Sequence, residues 1–121
     1  MVTEQREFIE IGKDAFIPAS DIDRELIVMV VGETARADRF SLNGYERRTN
    51  PMLENLGVVS FTQASSCSTS TTISVPCMFS SLTQHDFDAS KAKSMGNLLD
   101  VLDHAGVKIL WRDNNSNSKG V

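Results

Sequence analysis

Apolar and polar residues are spread unevenly along this chain. The longest uninterrupted apolar run, Leu26-Ile-Val-Met-Val-Val31, stops at Gly32. A continuous stretch of this kind, rich in β-branched residues, predicts a strand buried on both faces, as in the parallel sheets of α/β proteins. Ahead of it, residues 1–24 are polar with isolated apolar positions (Phe8, Ile9, Phe16, Ile17) and Pro18, which reads as a lead-in linker with one short edge strand. Behind it, Asn50 and Pro51 stand where a short helix would be capped and begin, and Gly57 stands just past its end. Residues 58–62 then return to a strand-like pattern.

Ten of the fifteen residues 60–74 are Ser or Thr, a composition that in isolation suggests a flexible linker. The stretch runs directly into Ile73, Val75, Met78, Phe79 and Leu82, however. That apolar set predicts a helix starting near Thr71 or Thr72, with Pro76 tolerable only in its first turn. Asn97 is placed to cap another helix whose Leu98, Leu99, Leu102 and Ala105 share a face, Gly106 ends it, and residues 107–111 read as a strand. Helix, glycine and strand make an α/β unit, and the polar residues 112–119 form a loop at that strand's carboxyl end. No internal repeat is present. Three or four strands with two or three helices make a thin sheet with exposed edges, as expected of part of a larger domain.

At 121 residues, with 40% hydrophobic and 23% charged positions, the chain has room for one globular domain and is not disordered in composition. Sixteen acidic against twelve basic side chains leave a net charge of −4, with no Lys/Arg cluster to neutralise a row of phosphates, so nucleic acid is excluded as a partner. The six-residue apolar run is far short of the roughly 20 residues a membrane-crossing helix needs. The polar start has neither the basic residues nor the apolar stretch of a signal peptide, so any export information lies outside these residues, and as given the chain reads as soluble. Cys67 and Cys77 have nine residues between them. Their spacing leaves two readings open, a disulfide stapling a Ser/Thr-rich loop or two small buried hydrophobes.

Three segments fall where an α/β sheet gathers its chemistry, at the carboxyl ends of strands and the starts of helices. Gly32-Glu33-Thr34-Ala35-Arg36 follows the apolar run, and Glu33 is either a metal-ligating carboxylate or a solvated loop residue. Cys67-Ser-Thr-Ser-Thr71-Thr72 sets hydroxyls at a helix start, where the dipole favours a phosphoryl group, or where Ser and Thr simply cap. Arg112-Asp-Asn-Asn-Ser-Asn-Ser-Lys119 offers donors for phosphate oxygens or is a plain polar turn. Asp103-His104 falls in the last turn of the predicted helix, where a His answers the negative end of the dipole more simply than a metal does. His85-Asp86 occupies a polar connection and reads as surface.

Taken together, five motifs in order carry a resemblance: Met29-Val-Val-Gly-Glu-Thr-Ala-Arg-Ala-Asp38, Ser41-Leu-Asn-Gly-Tyr-Glu-Arg47, Ser66-Cys-Ser-Thr-Ser-Thr-Thr72, Ser74-Val-Pro-Cys-Met-Phe-Ser80, and Ile109-Leu-Trp-Arg-Asp-Asn-Asn115 with Ser118-Lys-Gly120. Over residues 26–121 the chain closely resembles the lipid A phosphoethanolamine transferases, a group that includes the mobile colistin resistance enzymes. The resemblance implies a partial alkaline-phosphatase-like (sulfatase-like) α/β sandwich, a mainly parallel sheet flanked by helices. Residues 1–24 would be a linker after a membrane domain that is not in this chain, and residues 25–121 the N-terminal part of a periplasmic catalytic domain on the bacterial inner membrane.

By the same resemblance Glu33 matches a ligand of Zn²⁺, and Thr71 matches both a metal-contacting oxygen and the nucleophile. Thr71 would accept phosphoethanolamine from phosphatidylethanolamine and pass it to a lipid A phosphate, the reaction behind polymyxin resistance. Asn115, Lys119, Ser116 and Thr69 match contacts to the donor's phosphate or headgroup, and Cys67 with Cys77 matches a disulfide framing the nucleophile loop. Ser68 stands where many relatives have Gly. The family's Asp-His zinc pair and later histidines would follow residue 121. Glu33 and Thr71 alone do not make the four ligands zinc requires, so this chain by itself is expected to be inactive. Two other functions stay open: hydrolysis by a sulfatase or phosphatase of the same superfamily, and a non-catalytic binding fragment.

Overall fold

The computed structural model of the chain describes residues 7–32, 34–114 and 118–121. Its helices are α1 (Pro51–Asn55), α2 (Thr71–Phe79), α3 (Ala89–Ala92) and α4 (Leu98–His104), with 3₁₀ turns at Ala37–Arg39 and Ser41–Asn43 ahead of α1. The chain divides into two compact units. The first combines Met1–Val28 with Ser66–Val121, and the second is Met29–Ser65.

In the first unit, α4 forms where its local signals predict. The Asn97 side chain accepts from the Leu99 amide at 2.8 Å, and the Asp100 carboxylate accepts from the Asn97 amide at 2.7 Å, a reciprocal capping box. At the other end Gly106 takes φ +85°. Its amide donates to the Asp103 carbonyl and the Val107 amide to the Leu102 carbonyl, at 2.9 and 3.0 Å, the paired bonds of a Schellman stop. Helix α2 carries the buried core, Val75, Cys77 and Phe79. Val75 and Phe79 are four residues apart and share a face, and the Phe79 ring meets Trp111 at 5.6 Å between centroids. Cys77 lies away from that face, and its disulfide to Cys67 ties the preceding loop to it. Pro76 is the sixth residue of this helix rather than a first-turn residue. It removes one ladder donor, the partner of the Thr72 carbonyl, and Thr72 is exposed, so water can satisfy that oxygen.

The second unit is held by polar bonds. Pro51 opens α1 as predicted, and Gly57 at φ +62° follows its end. The Asn50 side chain makes no capping bond to the helix; it accepts instead from the Thr49 hydroxyl at 3.3 Å.

The predicted strands differ from what is observed. Residues 26–31, 58–62 and 107–111 join no ladder among the described residues, and Leu26, Val30 and Leu110 are 89%, 84% and 76% exposed. An apolar run encodes a preference for burial on both faces, but a strand exists only when a separate segment bonds along at least one of its edges. Among the described residues no ladder joins residues 26–31 to residues 107–111. Among the described residues of the lead-in segment, Ile9 forms an isolated parallel bridge with Met95.

Candidate active site

The Ser/Thr loop is organised by its own hydroxyls. Ser66 Oγ donates to the Ser68 carbonyl at 2.7 Å, Ser68 Oγ accepts from the Ser70 amide at 3.1 Å, and the Gln84 side-chain amide donates to the Ser66 carbonyl at 2.9 Å. The loop enters α2 through Ser70, whose carbonyl accepts from the Ile73 and Ser74 amides at 3.0 and 2.8 Å. Ser70 is the N-cap by position, yet its side chain makes no cap bond; its hydroxyl pairs with the Thr72 hydroxyl at 2.7 Å. Plain side-chain capping by Ser70 therefore does not account for the hydroxyls here.

Thr71 is the first residue of α2 and is half-buried. Its place is set from both directions: the loop hydroxyls fix the approach, and the Cys67–Cys77 disulfide, with Cα atoms 6.4 Å apart, ties the loop to the middle of the helix. The disulfide decides between the two readings the cysteines had left open, and no cysteine remains free.

The other predicted residues are distributed as follows. Thr69 is exposed in the loop, two residues before Thr71. Lys119 is half-buried in a turn at φ +61° and lines a cavity of about 220 Å³ together with Thr72, Asn97 and Asp100. The fold thus brings Lys119 and the start of α2 to one cavity. Glu33, Asn115 and Ser116 lie outside the described residues, so the expected convergence of Glu33 and Asn115 is not described. His104 is exposed in the last turn of α4, and His85 is exposed beside Asp86, 3.2 Å from its carboxylate. The Asp86 carboxyl is held below the usual range by hydrogen bonds from Thr83 first and His85 second.

Sequence reasoning missed how the Ser41-Leu-Asn-Gly-Tyr motif works. Ser41 Oγ accepts from the Thr49 and Asn50 amides at 3.2 and 3.1 Å and donates to Glu54 Oε1 at 2.5 Å, while Arg48 Nε donates to Glu54 Oε2 at 2.9 Å. Glu54 is held below the usual glutamate value by the Ser41 bond first and by Arg48 second. Gly44 takes φ +93° to close the second 3₁₀ turn, which is the reason for a glycine in the motif. Arg36 grips Asp38 through two bonds of 2.9 and 3.0 Å, and that hydrogen bonding lowers the Asp38 carboxyl.

The sulfatase family model matches residues 25–121. The chain belongs to the sulfatase family. Within it, the chain is 60% identical over 97 residues to the phosphatidylethanolamine transferase Mcr-1 of Escherichia coli, covering 79% of this chain and 18% of the relative. It is 55% identical over 113 residues to Mcr-2 of the same species, covering 91% of this chain and 21% of the relative. Among solved structures it is similar to the integral membrane protein lipooligosaccharide phosphoethanolamine transferase A of Neisseria meningitidis, with a TM-score of 0.88 at 40% identity, over 96% of this chain and 22% of that one. This sulfatase-family chain therefore spans about a fifth of the length of the relatives it matches. The transferase resemblance read from the motifs agrees with these matches.

Proposed function

We propose that this chain is the nucleophile-bearing part of a transferase that moves phosphoethanolamine from phosphatidylethanolamine to a phosphate of lipid A and so confers polymyxin resistance. The observation that carries the reading is Thr71 at the first position of α2, on a disulfide-framed loop, in a chain 60% identical to a phosphatidylethanolamine transferase. In the first step Thr71 Oγ attacks the donor phosphorus, the phosphorus bond to the glycerol oxygen breaks, and diacylglycerol leaves with the proton. In the second, a lipid A phosphate oxygen attacks the same phosphorus and Thr71 recovers its hydroxyl. Lys119 supplies positive charge to the phosphoryl oxygens, and Asn115, Ser116 and Thr69 supply donors.

A threonine hydroxyl is a weak nucleophile at neutral pH. A zinc ion, when bound, would supply the charge that stabilises its alkoxide. Among the described residues no group of three or more His, Cys, Asp or Glu is placed to hold a metal, and both cysteines are spent in the disulfide. The donor chemistry that remains, the Thr71 hydroxyl oxygen with the Glu33 carboxylate by resemblance, fits two of zinc's four positions. The other ligands would come from the parts of such proteins that this chain does not span.

The disulfide supports an oxidising compartment, the periplasm. No helix among the described residues is long and apolar enough to cross a membrane, and the anchor would belong to the rest of the protein, as in the integral membrane relative. The linker at residues 1–24 and the catalytic part at 25–121 belong to the same reading, as does completion of the parallel sheet by further strands.

Hydrolysis is the second reading, favoured by the family description itself, with water taking the place of the lipid A acceptor. Incubation of the full-length protein with phosphatidylethanolamine and lipid A, followed by mass spectrometry, separates the two. Transfer yields phosphoethanolamine-modified lipid A and a transient adduct on Thr71, and Thr71→Ala abolishes both. Free phosphoethanolamine as the sole product would refute the transferase assignment, and an adduct on another side chain would refute Thr71 as its nucleophile.

A further inference from the structure

Residues 8–12 lie against the corner where α3 leads into α4 and are fastened there at several points. The Ile9 amide donates to the Ser94 carbonyl and the Gly96 amide donates to the Ile9 carbonyl, each at 2.8 Å. At buried Gly96 a Cβ would stand 3.1 Å from Ile11 Cγ1 and 3.3 Å from the Ile11 nitrogen. At Gly12, where φ is +65°, a Cβ would fall 2.6 Å from Val101 Cγ2. Both glycines are therefore seats: a Cβ at Gly12 would clash with Val101 on a strained backbone, and one at Gly96 would press on Ile11. Phe8, immediately before Ile9, lines the same cavity as Thr72, Asp100 and Lys119. Phe8 is 55% exposed and so retains surface for a ligand.

We propose that residues 8–12 form a strap, seated by Gly12 and Gly96, that holds the Phe8 ring as the ammonium-recognising wall of this cavity. The ligand class is a small zwitterion, phosphoethanolamine, with its phosphate toward Lys119 and its ammonium against the face of Phe8 and the Asp100 carboxylate. An aromatic face attracts a cation through its quadrupole, and one apolar wall also suits the two-carbon chain. This assignment rests on the transferase reading for the identity of the ligand and assigns it a contact outside the Thr71 loop.

The test is calorimetric binding of O-phosphoethanolamine and of inorganic phosphate to the full-length protein and its variants. Phe8→Ala should weaken phosphoethanolamine about threefold to fivefold, the scale of one exposed cation–π contact, and leave phosphate unchanged. Phe8→Trp should keep the preference, and Phe8→Leu should lose it despite similar bulk. Gly12→Val should reproduce the Phe8→Ala loss while hydrogen exchange at the Ile9 and Gly96 amides speeds by about tenfold or more and exchange within α4 holds. Equal loss for both ligands, no loss for either, absence of phosphoethanolamine binding to the wild type, or unchanged exchange in Gly12→Val would overturn the strap. A wild-type protein that binds phosphoethanolamine selectively but forms no adduct on Thr71 would instead sink the transferase reading and leave the strap standing.

Discussion

The two units of this chain are held together by different physics. In the first, α2 buries Val75, Cys77 and Phe79, sets the Phe79 ring at a tilt against Trp111, and is cross-linked through Cys67. In the second, residues 29–65 bury no large side chain among those described, and one hydroxyl, that of Ser41, joins the backbone at Thr49 and Asn50 to the carboxylate of Glu54. An apolar contact and a covalent bond carry no charge to titrate or screen, whereas a partly exposed network of charge-assisted bonds does. The loop that carries Thr71 is built in the first way, as the proposed displacement at phosphorus requires of a group that has to be held in place.

The comparison can be broken or sharpened by experiment. The chain has one Trp, Trp111 beside Phe79 in the first unit, and one Tyr, Tyr45 against Arg39 in the second, so each unit has its own spectroscopic reporter. The largest effect is expected from Phe79→Ala, which empties a site that is 4% exposed and should cost about 3–4 kcal/mol. Urea unfolding followed by Trp111 fluorescence should show the shift, with the Tyr45 ring resonances nearly unmoved. Reduction of Cys67–Cys77 comes next, at about 2–3 kcal/mol for a loop of this length, again seen by Trp111. If Tyr45 responded as strongly as Trp111 to either change, the units would not be independently stabilised.

Ser41→Ala should act on the other unit alone. It strips two backbone amides and Glu54 of their shared partner and should cost about 1–2 kcal/mol, read from the Tyr45 resonances. The smallest effect is that of pH. Glu54 and Asp38 are both held below their usual values. A carboxylate lowered on folding adds stability that is fully present above its ordinary value and is lost as pH falls through the lowered one. Acidification below the usual carboxylate range should therefore loosen the surroundings of Tyr45, and the Ser41→Ala variant should show a smaller pH dependence. A Tyr45 signal flat through that range in the wild type would remove Glu54 and Asp38 from the account.

The site was legible in proportion to how local its signals are. Thr71 at a helix start follows from the apolar set that begins at Ile73. The disulfide needed the resemblance as well, since spacing alone allowed two free thiols. Ser41 was visible only as part of a motif. Its bonds reach to positions 8, 9 and 13 residues away, and no periodicity encodes such a hub. The Phe8 contact was illegible for the same reason: nothing near residue 8 announces the corner near residue 95 to which Ile9 bonds.

By itself, then, the sequence determined the elements whose bonds close within a few residues: the capping box at Asn97, the stop at Gly106, the start at Pro51 and the entry into α2. It also determined kinship, because five ordered motifs survive independently of any contact. Only the tertiary structure decided that Pro76 is carried inside a helix, since a helix pinned by a disulfide and a buried Phe79 can lose one ladder bond. Tertiary structure likewise decided that the apolar residues 26–31 are unpaired among the described residues. A helix finds its hydrogen-bond partners within its own segment, while a strand finds them only in other segments, and a pattern along one chain names neither which segments they are nor where they stand.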